Sequence, residues 1–210
     1  MSRPKLHIAP CSYEAAKFAV EHWHYSGSMP AGKRVSFGVW EGGDFKGVIV
    51  FTRGANNRIG SEYDLEQTEV CELVRVALRR HEWPVTRMTA IAMKMLSREQ
   101  GIRLLVSYAD PKQGHHGGIY QGGNWIYTGT SNAQRERIIN GRFMHKRSCT
   151  SRFGTASIER LRAMGIDAKP APKEYKLKYL YPLDDEMRAQ IEPLAKPYPK
   201  PEDLPAQEAS

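Results

Sequence analysis

Only three of the 210 residues are cysteine, and Cys11, Cys71 and Cys149 stand far apart. An odd, scattered set gives neither a disulfide framework nor a paired metal knuckle, so three free thiols in a reducing cytoplasm are expected. No apolar run approaches the roughly 20 residues that cross a bilayer. The first residues, Met1-Ser2-Arg3-Pro4-Lys5-Leu6-His7, have no apolar stretch of a secretory signal. The expectation is therefore a cytoplasmic protein with no membrane partner. A G-x-G-x-x-G loop and a Walker loop are both missing, so nothing signals a dinucleotide or a nucleoside triphosphate. Acidic side chains are in short supply: 23 Asp and Glu face 31 Lys and Arg, a net charge of +8. With 40% hydrophobic and 26% charged residues, the composition is that of a folded globular protein.

The positive charge is concentrated. Residues 133–162 hold Arg135, Arg137, Arg142, Lys146, Arg147, Arg152, Arg160 and Arg162 against Glu136 and Glu159. Such a cluster neutralises phosphates and releases counterions, which drives nucleic-acid binding. Phe143, His145 and Phe153 lie among these charges and can stack on bases. A solvated face that favours solubility has the same composition, so charge alone leaves both readings open.

Along the chain, Ser12 caps a helix that runs through Ala16 and Ala19 to Trp23 and stops near Gly27. Alternating Val35, Phe37 and Val39, the turn Gly42-Gly43-Asp44 and the run Val48–Phe51 predict an antiparallel hairpin over 34–53. A polar loop covers 54–67. Next comes a strand over 70–78, with Leu73, Arg75 and Ala77 sharing one face by simple alternation. Pro84 opens a helix that Gly101 closes, and a strand over 102–109 ends at Asp110-Pro111. This strand–helix–strand order predicts a parallel pair. A short helix at 117–121, a strand at 125–127, a candidate Asn140-Gly141 hairpin turn, a helix over 155–164, a strand over 175–181 and a helix over 184–195 complete the reading. Five prolines between Pro193 and Pro205 predict an extended tail.

Several motifs together resemble a known family. They are Cys71-Glu72-Leu73-Val74-Arg75, the run from Arg103 to Pro111, Gly114-His115, Ile119-Tyr120-Gln121, Asn124-Trp125-Ile126-Tyr127-Thr128-Gly129 and Lys178-Tyr179-Leu180-Tyr181-Pro182-Leu183, with the early His24-Tyr25-Ser26. The sequence is similar to the Mom family of phage DNA-modification proteins over roughly residues 20–183. The resemblance implies a divergent GNAT acyltransferase fold, α/β with a mixed sheet whose central parallel strands splay apart. It also implies conversion of adenine N6 in double-stranded DNA to a carbamoylmethyl derivative, which protects DNA from restriction. A phage or prophage protein acting in the bacterial cytoplasm is the implied setting. An acyl-CoA (acetyl-CoA included) and iron are the implied cofactors. The expected layout is a modification domain over 1–183, with 133–162 as a basic DNA-binding insertion, and a helix with a Pro-rich tail over 184–210. Oligomeric state stays open, a homodimer included.

On the resemblance, His24, Tyr25 and Asp110 make an N,O,O set for iron. Asp110 can instead be the base near adenine N6, with Tyr25 a hydrogen-bond donor. The bland alternatives are a capped helix end at His24-Tyr25 and a turn at Asp110-Pro111. Tyr120 stands where relatives place the tyrosine that protonates a departing thiolate, and an aromatic packed on the sheet is the other reading. Arg75, charged on a central strand, needs a partner: Asp110, a substrate phosphate or Glu69. Ser107 is expected to line the gap between the splayed strands. Trp23, Trp83 and Tyr25 are candidates to hold a base taken out of the stack. The diphosphate loop of the fold reads Q/R-x-x-G-x-G/A before its helix, whereas Arg79-Arg80-His81-Glu82-Trp83-Pro84-Val85-Thr86 contains no glycine. Arg79, Arg80 and Arg87 are the cations that remain for a cofactor. An ordinary acyltransferase acting on a small amine or a protein, and a DNA-binding module without catalysis, are the rival functions.

Overall fold

The computed structural model describes residues 3–54, 58–131, 136–172 and 175–203. The chain divides into two compact units, residues 1–129 with 177–210, and residues 130–176. No helix among the described residues is long and apolar enough to cross a membrane.

The larger unit is built on a seven-stranded sheet. Its strands are β1 (Leu6–Pro10), β2 (Arg34–Glu41), β3 (Asp44–Thr52), β4 (Val70–Leu78), β5 (Leu104–Ala109), β6 (Ile126–Thr130) and, late in the chain, a strand at Leu177–Pro182. That late strand lies between β5 and β6. The hairpin and both strands of the parallel pair are where the sequence puts them. β1 escapes a reading based on longer alternation. It has five residues, sits at the sheet edge beside β2, and ends in Pro10, which an edge strand tolerates.

Helix α1 (Tyr13–Trp23) is capped by Ser12, whose hydroxyl accepts the Ala15 N–H at 3.2 Å. It packs Ala16, Ala19 and Val20 on Val48, Val50 and Ala77 of one sheet face. Helix α2 (Val85–Gln100) covers the other face, with Met88, Ala92 and Leu96 against Phe37, Ile49, Phe51 and Leu105. Each such fully buried large side chain contributes about 1.5–3 kcal/mol of hydrophobic stabilisation. A four-residue helix, α3 (Gly118–Gln121), precedes β6.

β4 and β5 are parallel and paired only from Val70–Leu104 to Leu73–Ser107. β4 then runs on to Leu78, so the two strands part at Leu73 and Ser107. The pairing of β4 with β3 skips Val74: Val50 faces Arg75 and Phe51 faces Leu73. This bulge corrects the simple alternation. Leu73 packs in the core under α2, whereas Ala77 packs under α1. A bulge adds one residue and re-aims the side chains beyond it.

The smaller unit has its own apolar centre of Ile139, Cys149, Ala156, Leu161 and Ala168. Around it lie β7 (Arg137–Ile139), β8 (Arg142–Met144), α4 (Lys146–Phe153), α5 (Ile158–Ala163) and β9 (Ala168–Pro170), with sheet order β8-β7-β9. The expected turn at Asn140-Gly141 joins β7 to β8. The strand Leu177–Pro182 is β10, and α6 (Asp185–Ile191) comes after it. The helix expected over 155–164 starts later because Ser157 is its cap.

The Pro-rich tail is not free. The Lys196 N–H donates to the Tyr127 carbonyl at 2.8 Å, the Tyr198 hydroxyl to the Trp125 carbonyl at 2.6 Å, and Gln121 Nε2 to the Pro199 carbonyl at 3.0 Å. The tail thus binds β6 and α3 into the larger unit.

Asp184 begins α6. Its carboxyl accepts the Met187 N–H at 2.7 Å and two N–H groups of Arg103 at 2.8 and 3.2 Å. The Arg103 hydrogen bond holds its pKa below the usual carboxylate range. Asp184→Ala is expected to cost about 1–2 kcal/mol, a fall in Tm of about 3–6 °C. Because the folded carboxyl is the stronger acid, this contribution is present at neutral pH and is lost on acidification through and below about pH 4. Thermal melts of both proteins at pH 7 and at pH 3 check this. An equal Tm difference at both pH values would refute it.

Candidate functional site: a cleft where the central strands part

A cleft of about 600 Å³ opens beside the diverging ends of β4 and β5. Ligands of open α/β sheets collect at the carboxyl ends of the strands. The walls come from Trp23, His24 and Tyr25 at the end of α1, from Leu73 to Val76 and Leu78 on β4, from His81 and Val85 before and in α2, and from Tyr108, Ala109 and the segment Gly114–Tyr120.

Ser107 sits at the apex, fully buried. Its hydroxyl lies 2.7 Å from the Leu73 carbonyl and 2.7 Å from the Tyr120 hydroxyl. A serine has one proton to give. If it serves Leu73, Tyr120 donates to Ser107. If it serves Tyr120, the phenolic proton is released toward the cleft. Burial pushes the Tyr120 pKa up to about 12, so this phenol stays protonated at neutral pH and acts as a donor. The ring is held by Trp125 and Tyr179 at 5.2 and 5.0 Å between centroids. Tyr179 in turn donates to the His116 carbonyl at 2.7 Å and passes so close to Gly117 that a Cβ there would lie 2.3 Å from its oxygen. Gly117, at φ +91°, is the residue that lets the segment approach.

His24 ends α1, and its ring lies tilted against that of Tyr25 with centroids 4.3 Å apart. Tyr25 meets His115 edge-on at 5.3 Å. Burial, then the positive charge of Arg75, then His115 lower the His24 pKa to about 4, so the imidazole is neutral. Burial and then the negative charge of Asp110 raise that of Tyr25. Asp110 is close enough for its charge to act on Tyr25, but it stands at the margin and does not line the cleft. Its Oδ1 accepts the Lys112 N–H at 3.0 Å, the turn-forming role expected of an Asp before Pro. Arg75 lines the cleft, and its donors go to the carbonyls of Val74 at 2.8 Å and Ser28 at 3.3 Å, not to Asp110 or Glu69.

The iron set implied for His24, Tyr25 and Asp110 does not fit this arrangement. The Ser26 N–H points at His24 Nδ1 at 3.1 Å, which leaves the proton of the neutral ring on Nε2. The Arg75 guanidinium shares the cleft, a positive charge beside any cation there. Among the described residues no three His, Cys, Asp or Glu side chains gather as a metal site.

The cations suggested for a cofactor lie elsewhere. Arg79 pairs with Asp44, donates to the Phe45 carbonyl at 2.8 Å and covers the Trp23 ring. Arg80 and Arg87 are exposed and outside the cleft lining. Of the base-stacking candidates, Trp23 and Tyr25 line the cleft. Trp83 does not, and its indole donates to the Pro4 carbonyl at 2.7 Å.

In the smaller unit, Arg142, Lys146, Arg147 and Arg152 are exposed. Arg137 is half-buried, and its Nε donates to the Ala156 carbonyl at 2.9 Å. Arg135 lies outside the described residues. Phe143 is 63% exposed on the edge strand β8, whereas Phe153 packs on the unit's core. By sequence, residues 130–176 hold eleven Lys and Arg against four Asp and Glu, which is +7 of the chain's +8.

A residue that sequence reading missed is Glu41, 4% exposed at the end of β2. Its parity with buried Phe37 and Val39 is the signal that places it on the core side.

The fold is similar to that of FeeM, an N-acyl amino acid synthase from uncultured soil microbes, with TM-score 0.50 and 14% identity over 89% of this chain and 94% of that one. It is also similar to the Drosophila melanogaster polyamine N acetyltransferase, with TM-score 0.50 and 8% identity over 85% of this chain and 100% of that one. These likenesses define the expected GNAT acyltransferase fold. Among curated proteins none matches the sequence. Over residues 5–200 the sequence matches the Mom protein family, and the chain belongs to it.

Proposed function

We propose that this chain modifies DNA by transferring a carbamoylmethyl group to N6 of adenine. The observation that carries the reading is membership of the Mom family across residues 5–200. The cleft and the cationic smaller unit supply parts that such a reaction needs.

Adenine N6 cannot be reached inside a duplex, so the base leaves its stack. Trp23 and Tyr25 offer aromatic surfaces at the cleft. In the transfer, N6 forms a bond to the methylene carbon of an activated carbamoylmethyl donor and the bond from that carbon to its leaving group breaks. N6 loses one proton and the leaving group gains one. Tyr120, protonated and backed by Ser107, is the donor of that second proton. The Asp110 carboxylate, beside the cleft, is the group that can take the first. The Arg142, Lys146, Arg147 and Arg152 side chains hold the DNA backbone, a contact that gives affinity without sequence choice. Neither iron nor coenzyme A carries a step in this scheme.

Nucleosides digested from plasmid after expression of the protein should contain an adenosine heavier by about 57 Da, the gain from replacing one N6 hydrogen with CH₂CONH₂. A wholly unmodified adenosine pool alongside soluble protein would refute the reading. DNA binding without that product would instead identify a non-catalytic DNA-binding module.

A further inference from the structure

The segment between β4 and α2 is where the GNAT fold is expected to hold the diphosphate of coenzyme A, on backbone N–H groups aimed at the anion. In this chain three of those groups, on Arg79, Glu82 and Trp83, already have acceptors. The Arg79 N–H donates to the Lys46 carbonyl at 2.9 Å. The Glu82 N–H lies 3.0 Å from each carboxyl oxygen of Glu41, and the Trp83 N–H lies 2.9 Å from Glu41 Oε1. Pro84 has no N–H. The segment already holds an anion, and that anion is one of the protein's own side chains.

The surroundings fix this state. Glu41 is buried, and a buried carboxylate keeps the hydrogen bonds that compensate its lost hydration. The indole of Trp83 is tied to the Pro4 carbonyl at 2.7 Å, and the His81 ring to the Trp83 carbonyl at 2.8 Å. No glycine is present between Arg79 and Thr86 to let the backbone re-aim. The side chain of Arg79, which could have met a phosphate, is paired with Asp44. The same cleft of about 600 Å³ has to admit a nucleobase as well as a donor.

We infer that Glu41 is a specificity-determining residue: it closes the diphosphate cradle, and the group donor is a compact activated carbamoylmethyl compound held by the cleft walls, not a coenzyme A thioester. The closed cradle stands on the fold alone, whereas the nature of the donor rests on the proposed transfer reaction.

Thermal melts of the full chain test this with two probes, acetyl-CoA and inorganic pyrophosphate, each at about 1 mM. A ligand at a hundred times its Kd raises Tm by several degrees. The wild-type Tm is expected to move by less than about 1 °C with either probe. A rise of several degrees with acetyl-CoA, competed by pyrophosphate, would overturn the inference. Glu41→Ala should free the Glu82 and Trp83 N–H groups and give the folded variant a Tm response to pyrophosphate that the wild type does not show. A folded Glu41→Ala protein that gains no response would remove Glu41 from the argument. If that variant does not fold, the wild-type melts still decide. The nucleoside measurement is separate: modified adenosine with no response to acetyl-CoA supports both readings. Unmodified adenosine fails the transfer reaction while the melts still report on the cradle.

Discussion

Tyr120→Phe is expected to remain folded and to lose about 100-fold or more of the DNA-modifying activity, the usual worth of a placed proton donor. The substitution isolates the hydroxyl, because Phe retains the ring that packs between Trp125 and Tyr179. What disappears is the oxygen 2.7 Å from Ser107. Ser107→Ala acts on the same pair from the other side. It also removes the hydroxyl that lies 2.7 Å from the Leu73 carbonyl where the strands part, and a buried polar group left without a partner costs about 1–3 kcal/mol. The two variants therefore separate: Tyr120→Phe keeps its Tm and loses product, whereas Ser107→Ala loses some of both. Mass analysis of nucleosides together with thermal melts reads the difference. Tyr120→Phe within threefold of wild-type activity would exclude the phenol as the proton donor.

The second large effect belongs to the smaller unit. Arg142→Glu, Lys146→Glu and Arg147→Glu together should weaken binding to duplex DNA by about 100-fold or more at low salt. The slope of log K against log salt should become shallower by about 0.9 for each phosphate no longer neutralised. Phe143→Ala should behave differently. Loss of one base-stacking aromatic costs about 5- to 100-fold with the salt slope unchanged, and Phe143→Trp should restore affinity. The exposed position of Phe143 makes it the candidate, and the packed position of Phe153 removes that residue from contention. Fluorescence anisotropy with a labelled duplex at several salt concentrations measures both quantities. An unaltered slope in the triple variant would move the DNA surface away from this segment.

Much of the framework was legible in the residues. The hairpin, the β4–α2–β5 unit and the caps at Ser12 and Gly101 are local signals, set by alternation, helical spacing and end residues. The elements that escaped reading depend on partners distant in sequence. Helix α4 is rich in Ser, Thr and Cys, weak helix formers, and buries Cys149 against a core assembled from the rest of its unit. The bulge at Val74 overturned the alternation that grouped Leu73 with Ala77, because the count of residues on β3 decides it. The prolines predict the extended tail but not its contacts: Lys196, Tyr198 and Pro199 find acceptors and donors on Tyr127, Trp125 and Gln121.

The candidate site shows the same division. His24, Tyr25, Arg75 and Tyr120, drawn from widely separated stretches of sequence, do meet in one cleft, with Ser107 beneath them. The hydrogen bonds that decide their chemistry were not legible. Nothing in the order of residues says that Ser26 would turn its N–H to His24, or that Arg75 would spend its donors on two carbonyls. Arg79 looked available as a cation until Asp44, 35 residues earlier, took it.

The position of β10 between β5 and β6 sets an order of assembly during translation. β6 leaves the ribosome first but has no neighbour to pair with until residues 177–182 emerge, after the whole smaller unit. The wall that carries Tyr120 and its support Tyr179 is thus completed only when almost the entire polypeptide is made. A nascent chain therefore carries the cationic unit before it carries a finished cleft.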